Sequence, residues 1–297
     1  MTTKRILNFA LAAYLAVFFF YLFAPLIFMV IAAFNDSRFP TAFPWHGFTL
    51  DWFYGYDSRG RPIGLFQDTR LAQAIWNSVL IGFGVIALSV PIGLAGALFI
   101  ASFRGRSKSL IYGIMISPIL TPGVILGIST LIFWQDRFGV GGGLFLTVIA
   151  QTTFIAAYCM LLFLARLERF DFTLQEAALD LGASHTYVVW RILLPYMWPA
   201  ILSAALIAFL QSFENYNTTL FVIGIQETMT LNIANRVRLG LTPAINAIGV
   251  ILIAFTVAGA VLYEVFRRRE EAARRAAAKR RQAAIAKEAE TLHLAPS

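Results

Sequence analysis

The fold class predicted here is all-α, a polytopic membrane protein of six transmembrane helices. Three observations carry that expectation. Hydrophobic residues make up 59% of the 297 positions, charged residues only 13%, and long apolar runs recur along the whole chain. The mean hydropathy is +0.71. A water-soluble domain needs a charged, mixed surface, and this share of charge is about half the usual one. Lipid must cover most of the chain.

A bilayer core of about 30 Å takes roughly 20 apolar residues of helix. Six runs qualify, at approximately 8–33, 74–101, 110–134, 144–165, 197–222 and 244–266. The first follows Lys4 and Arg5, but from Ile6 to Phe34 it is far longer than the roughly 7–15 apolar residues of a signal peptide. It is predicted to be a membrane helix. The gap from Asn35 to Arg70 combines turn formers (Pro40, Pro44, Gly47, Pro62) with Trp45, Trp52 and Tyr54, a mixture that suits an interfacial loop. Pro118, Pro122 and Gly123 interrupt the third run, where a broken helix is predicted. Cys159 is the single cysteine, which excludes an internal disulfide and a multi-cysteine metal site. In its apolar setting it is expected to be a buried structural thiol.

Orientation follows from the basic residues between runs. Seventeen Lys and Arg fall on one side and seven on the other, so the positive-inside rule places both termini in the cytoplasm. Without the C-terminal tail the counts are eight and seven, so the tail carries most of this assignment. Residues 267–297 hold nine basic and four acidic side chains, which is +5 of the formal +8. Placed directly after an apolar run, they point to a membrane end and to contact with anionic membrane lipid, not to nucleic acid. Glu270–Arg274 and Glu271–Arg275 at i, i+4 predict a helical tail. Glu264 is expected to pair with Arg267 and Arg268. The chain thus divides into a first helix with its outer loop (1–70), a core of five runs (71–266) containing a long cytoplasmic loop at 166–196, and the basic tail (267–297).

Several function classes drop out. The four lysines follow Thr, Ser, Ala and Ala, so none belongs to a P-loop, where Lys follows Gly. ATP, if used, is bound by another polypeptide. The three histidines, His46, His185 and His293, sit on different faces or in the tail, and neither HExxH nor GxSxG occurs. No catalytic residue, metal site or cofactor is predicted. A membrane enzyme or a non-transporting scaffold stays as the alternative class.

The segment Asp171–Pro195 has the pattern of a helix, a glycine break and a second helix. Thr173 with Glu176 fits a capping box, Gly182 can take positive φ, Ser184 can cap the second helix, and Pro195 is expected to close it. Glu176-Ala177-Ala178, Gly182 and Ile192-x-Leu194-Pro195 resemble the EAA loop of the inner-membrane permeases of binding-protein-dependent ABC importers. Every fixed position of that family's spacing, EAA-x3-G-x9-I-x-L-P, is met. The resemblance implies the type I ABC importer permease architecture in a bacterial inner membrane. It implies that Glu176, Ala177, Ala178, Gly182, Ala183, Ile192, Leu194 and Pro195 form the ATPase-coupling loop, with small side chains that permit close docking. It also implies three kinds of partner: an ATP-binding cassette ATPase dimer, a second permease in a heterodimer, and a periplasmic solute-binding protein.

Residues 117–129, 212–216 and 241–247 are similar to segments of the spermidine/putrescine-type permeases, so the likeness spans roughly 70–266. A carboxylate within an apolar run is costly and usually faces a bundle interior. Glu214, 19 residues beyond Pro195, is about 28 Å of helix from it. With Asn215, Tyr216 and Asn217, and with Trp134 and Asp136 at the end of the third run, it forms the predicted substrate pathway for an organic cation. The alternative is a structural pair of Glu214 with Arg236 or Arg238. The polyamine-type pattern has an acidic pair after Ser-Phe, whereas Glu214 is followed by neutral Asn215. A monovalent amine, an opine or an amino-acid-like solute therefore stays open beside a polyamine.

Overall fold

The computed structural model describes residues 2–56, 60, 63–103, 105, 107–239 and 243–259, with 261, 264, 265, 267 and 268 beyond them. In chain order the helices are α1 (Thr2–Ala33), α2 (Asp51–Tyr54), α3 (Thr69–Ser102), α4 (Ser107–Leu120), α5 (Gly123–Phe138) and α6 (Leu144–Leu167). There follow α7 (Thr173–Asp180), α8 (His185–Val188), α9 (Leu194–Phe213), α10 (Thr219–Val222), α11 (Met229–Leu239) and α12 (Pro243–Gly259). A π segment, Val189–Leu193, joins α8 to α9. Among the described residues no strand longer than an isolated bridge occurs; such a bridge joins Asn35 and Phe48.

Four stretches are long and apolar enough to cross a membrane: Arg5–Ala33, Thr69–Ser102, Leu144–Leu167 and His185–Phe213. Helices α4 and α5 together make a fifth, bent by 97°. The break falls where the sequence places Pro118, Pro122 and Gly123, because Pro122 cannot donate a backbone hydrogen bond to the preceding turn. The sixth run appears as α12, the described part of residues 244–266. The expected tail helix with its Glu270–Arg274 and Glu271–Arg275 pairs lies outside the described residues, as do Arg104 and Arg106. Glu264 meets Arg268 at 2.7 Å and Arg267 at 3.1 Å, the expected surface pairing.

The chain forms two compact units, Met1–Leu65 with Leu241–Ser297, and Phe66–Gly240. In the first, the loop after α1 is organised by Asn35, which is fully buried. Its amide donates to the carbonyls of Thr41 and Pro44 and accepts from the His46 N–H, while its backbone carbonyl takes the Trp52 indole N–H. Phe34 stacks on Phe48 and Phe53. In the second unit, α6 is the central helix, packed against α3 and α9. Ile81, Val85, Ile155, Phe163, Met197 and Ala208 fill the space between them. Small residues set the spacing: a Cβ on Gly93 of α3 would lie 2.6 Å from the Cβ of Cys159 and 2.8 Å from the Ala156 carbonyl oxygen. Cys159 is buried there, beside Ser89 and the Ala204 carbonyl. Backbone that approaches this closely is typical of helix packing in lipid, where no hydrophobic force separates inside from outside.

Candidate coupling loop and solute path

At the α6–α9 connection the chain builds two short helices, α7 and α8, separated by a glycine turn. Gly182 turns the chain at φ +83°, a left-handed conformation that glycine adopts without steric cost. Ser184 caps α8, accepting the Tyr187 N–H at 3.2 Å. Two expectations are corrected. The Thr173–Glu176 capping box is not formed, because Thr173 lies inside α7 and its hydroxyl donates to Asp171 at 2.7 Å. Asp171 also takes the Thr173 N–H at 3.0 Å, so an aspartate two residues upstream does the work assigned to the box. Those two bonds hold its carboxyl below the ordinary aspartate range. Nor does Pro195 close a helix. The chain runs helically from His185 to Phe213, and the π segment lets the Leu194 N–H reach the Val189 carbonyl. That wider turn makes room for the proline ring, which would otherwise clash with the preceding turn.

Glu176, Ala177, Gly182 and Pro195 are exposed, while Ala178, Ala183, Ile192 and Leu194 are half-buried. Leu174 and Leu181 of the same knob are 55% and 88% exposed, more apolar surface than a monomer's loop ordinarily offers to water. The loop therefore presents small and apolar side chains outward.

At the other end of α9, the fifth run stops at Phe213, not at residue 222 as the apolar length predicted. The reason is Asn215, whose Oδ1 accepts from the Thr218 N–H, the Thr219 N–H and the Thr219 hydroxyl at 3.1–3.2 Å. An amide side chain that captures backbone donors in this way competes with helix continuation. Glu214 and Asn217 are exposed and Tyr216 half-buried. Neither arginine proposed as a partner of Glu214 pairs with it. Arg236 forms a salt bridge with Asp68, and Arg238 donates to the Tyr216 hydroxyl and lies against its ring. Trp134 is engaged in packing with Phe138, Phe145 and the cluster of Leu146, Ala150 and Val222. Asp136 is exposed, and among the described residues no hydrogen bond or ion pair joins it to Glu214.

Two polar features escaped the sequence reading. Gln151, fully buried in α6, donates to Thr219 at 2.8 Å and accepts from Ser212 at 2.5 Å, tying α6, α9 and α10 together. A lone amide inside an apolar run was the available signal. Glu227 accepts from Asn232 at 2.7 Å and Asn235 at 3.1 Å, and its carbonyl takes the Asn77 amide at 2.9 Å. With Arg70, Gln73, Asn77 and Gln226 it lines a recess of about 420 Å³. Nothing local marked Glu227, which stands outside the apolar runs.

Comparison with known proteins decides the class. The profile of the family described as "binding-protein-dependent transport system inner membrane component" matches residues 89–271. The chain belongs to this family. It is 30% identical over 258 residues to the spermidine/putrescine transport system permease protein PotC of Haemophilus influenzae, covering 86% of this chain and 96% of that one. The putrescine transport system permease protein PotI of Escherichia coli K12 is 29% identical over 260 residues, with 85% and 89% covered. Among solved structures, a bacterial ABC transporter involved in import of the acidic polysaccharide alginate superposes with a TM-score of 0.62 at 15% identity, over 90% of this chain and 98% of that one. The MetNI methionine ABC transporter gives 0.53 at 19% identity, over 64% and 90%. At such identity these share the fold alone: the chain has the architecture of an ABC importer permease. It is a multi-pass membrane permease subunit and not an enzyme. As an inner-membrane component of a binding-protein-dependent transport system, it works with other components of such a system.

Proposed function

We propose that this permease carries a small organic cation of the polyamine kind, driven by a separate ATPase dimer. In this reading a second, non-identical permease completes the path and an external binding protein delivers the solute. Both termini lie in the cytoplasm, following the excess of basic residues on that side. The Glu176–Pro195 loop docks on the ATPases, its exposed small residues fitting a groove, and their ATP-driven closure rocks α6 and α9 between outward and inward arrangements. The functional division is that of 1–70, 71–266 and 267–297.

What supports a cationic solute is the Glu214 carboxylate at the outer end of α9. It has no hydrogen bond or ion pair among the described residues, and both nearby arginines are engaged elsewhere. A carboxylate left without a counter-charge at the mouth of a membrane path favours a passing cation. The polyamine names of the relatives agree with that. The test is Glu214→Gln in the assembled importer, with labelled putrescine. Uptake falls about tenfold, equivalent to about 1.4 kcal/mol, while assembly and thermal stability hold. Wild-type uptake by a stable variant refutes the assignment.

The recess holding both Arg70 and Glu227 favours a second reading, a zwitterionic solute such as an opine or amino acid, with one charge for each end. Direct uptake decides: ATP-dependent uptake of a labelled zwitterionic amino acid that excess unlabelled putrescine does not reduce selects the second reading.

A further inference from the structure

The two ends of the coupling loop are joined to each other. Arg166, in the last turn of α6, donates from Nη2 to the Tyr196 carbonyl at 3.3 Å. The Tyr196 hydroxyl donates back to the Arg166 carbonyl at 3.3 Å. The guanidinium also lies 4.3 Å from the centre of the Tyr196 ring, close enough for a cation–π attraction that strengthens as water is excluded. Arg166 Nε is buried and without a hydrogen-bond partner, so the aromatic face is what offsets its lost hydration. Phe170, 6% exposed, packs its ring on Tyr196 at 5.0 Å and on Phe172 at 5.2 Å. Phe172 is the residue immediately before α7.

We infer that the Arg166–Tyr196 pair is a clamp that makes the coupling loop a rigid handle on α6 and α9 together, and that its two members are positioning residues for energy transfer. The inference rests on the reading of Glu176–Pro195 as the docking loop. The physical case is one of slack. The connection between α6 and the helical run from His185, residues 168–184, if held only at its covalent ends, lets a docked α7 shift without moving the membrane helices. Closing it at the base by two reciprocal hydrogen bonds and a ring stack removes that freedom. Displacement of α7 then passes through Phe172 and Phe170 to the clamp, and so to both membrane helices as one body. This is a contiguous packed path with a defined start and end, the kind of connection through which coupling can travel. Arg166 is half-buried, and covering its Nε without a hydrogen-bond partner carries a cost that the arrangement accepts while tying together the two helices that the mechanism must move.

The experiment uses the assembled importer in vesicles, with labelled putrescine inside an ATP-hydrolysis assay, and reads solute moved per ATP. Arg166→Met lowers that ratio by about fivefold or more, while hydrolysis continues and the thermal midpoint stays near wild type. Tyr196→Phe keeps the ring, loses one hydrogen bond, and lowers the ratio by about threefold. The double variant is no worse than Arg166→Met, because both act through one contact. A purely structural role would instead lower stability and reduce transport and hydrolysis together at an unchanged ratio, and that result overturns the inference. If Arg166→Met fails to assemble, Tyr196→Phe decides alone, and wild-type coupling there overturns it as well. Ala177→Cys in the wild-type background, crosslinked to the ATPase, separates the two levels. Absence of that crosslink defeats the docking-loop reading itself, whereas an intact crosslink with unchanged coupling in the variants defeats only the clamp.

Discussion

Replacing Gln151 by Leu keeps much of the side-chain volume and deletes its polar end. Gln151 is fully buried and holds two hydrogen bonds, to Thr219 at 2.8 Å and from Ser212 at 2.5 Å. A buried hydrogen bond contributes a net of about 0.5–1.5 kcal/mol, and interhelical ones in membrane proteins average about 0.6 kcal/mol. The groups left behind recover part of the loss. The Thr219 hydroxyl keeps Asn215 as acceptor, and the Ser212 hydroxyl can turn to a carbonyl one turn back, as Ser203 does to Pro199. The cost is therefore roughly 1–2 kcal/mol for the two bonds, a fall of about 2–8 °C in the thermal midpoint. Cys159 supplies the assay. It is the only cysteine, 1% exposed, and wedged between α3, α6 and α9, so a fluorogenic maleimide reacts only as those helices separate. Ser212→Ala in the same background should cost less in Gln151→Leu than in wild type. Unfolding of Gln151→Leu at or above the wild-type midpoint, or full additivity with Ser212→Ala, would refute the reasoning.

The remaining predictions concern the loop and the close helix packing. Gly182→Val abolishes solute-stimulated ATPase activity of the assembled importer, because φ +83° costs a non-glycine residue about 1–2 kcal/mol and a β-branched one more. Nothing lies within 4 Å of the position, so Gly182→Asn, which tolerates that conformation, retains most of the activity. Gly93→Leu drives a side chain into Cys159 and the Ala156 carbonyl, and lowers the maleimide-detected midpoint through overpacking of about 1–3 kcal/mol. The Asp171 carboxyl is held below its usual range by Thr173. A depressed folded pKa means stabilisation that is complete above the unfolded value of about 3.9 and lost as pH falls through the folded one. Amide exchange at the start of α7, corrected for its intrinsic pH dependence, thus shows constant protection from pH 5 to 8 and loosening only in more acidic solution. Thr173→Val loses the hydroxyl bond and keeps the N–H bond, so it weakens that acid dependence, and unchanged dependence in the variant would defeat the assignment.

Much of this protein is legible without its structure, and what is legible is local. Apolar runs of bilayer length become helices because a backbone in hydrocarbon must satisfy its own hydrogen bonds. The break at Pro122 follows from a missing N–H, the turn at Gly182 from a missing Cβ, and the cap at Ser184 from one hydroxyl three residues before the donor it satisfies. The helix, glycine turn and second helix of residues 173–188 could be placed for the same reason: their markers are fixed residues at fixed short spacing. The predicted solute path fared differently because residue type alone does not say which neighbour a side chain will meet. Asn215 ends α9 and caps α10, a choice made when Gln151, 68 residues from Thr219, fixes where α10 lies. Trp134 finds an apolar pocket between α6 and α10. Arg236 pairs with Asp68 across 168 residues of chain, which leaves Glu214 without the arginine that its sequence neighbourhood offered. The Arg166–Tyr196 clamp joins residues 30 apart, one at the end of a helix and one at the start of another. Short-range steric and hydrogen-bond rules act within a few residues and can be read from order along the chain. Pairings of charge, amide and ring depend on which helix faces are brought together, and only the packed bundle of α3, α6 and α9 decides that.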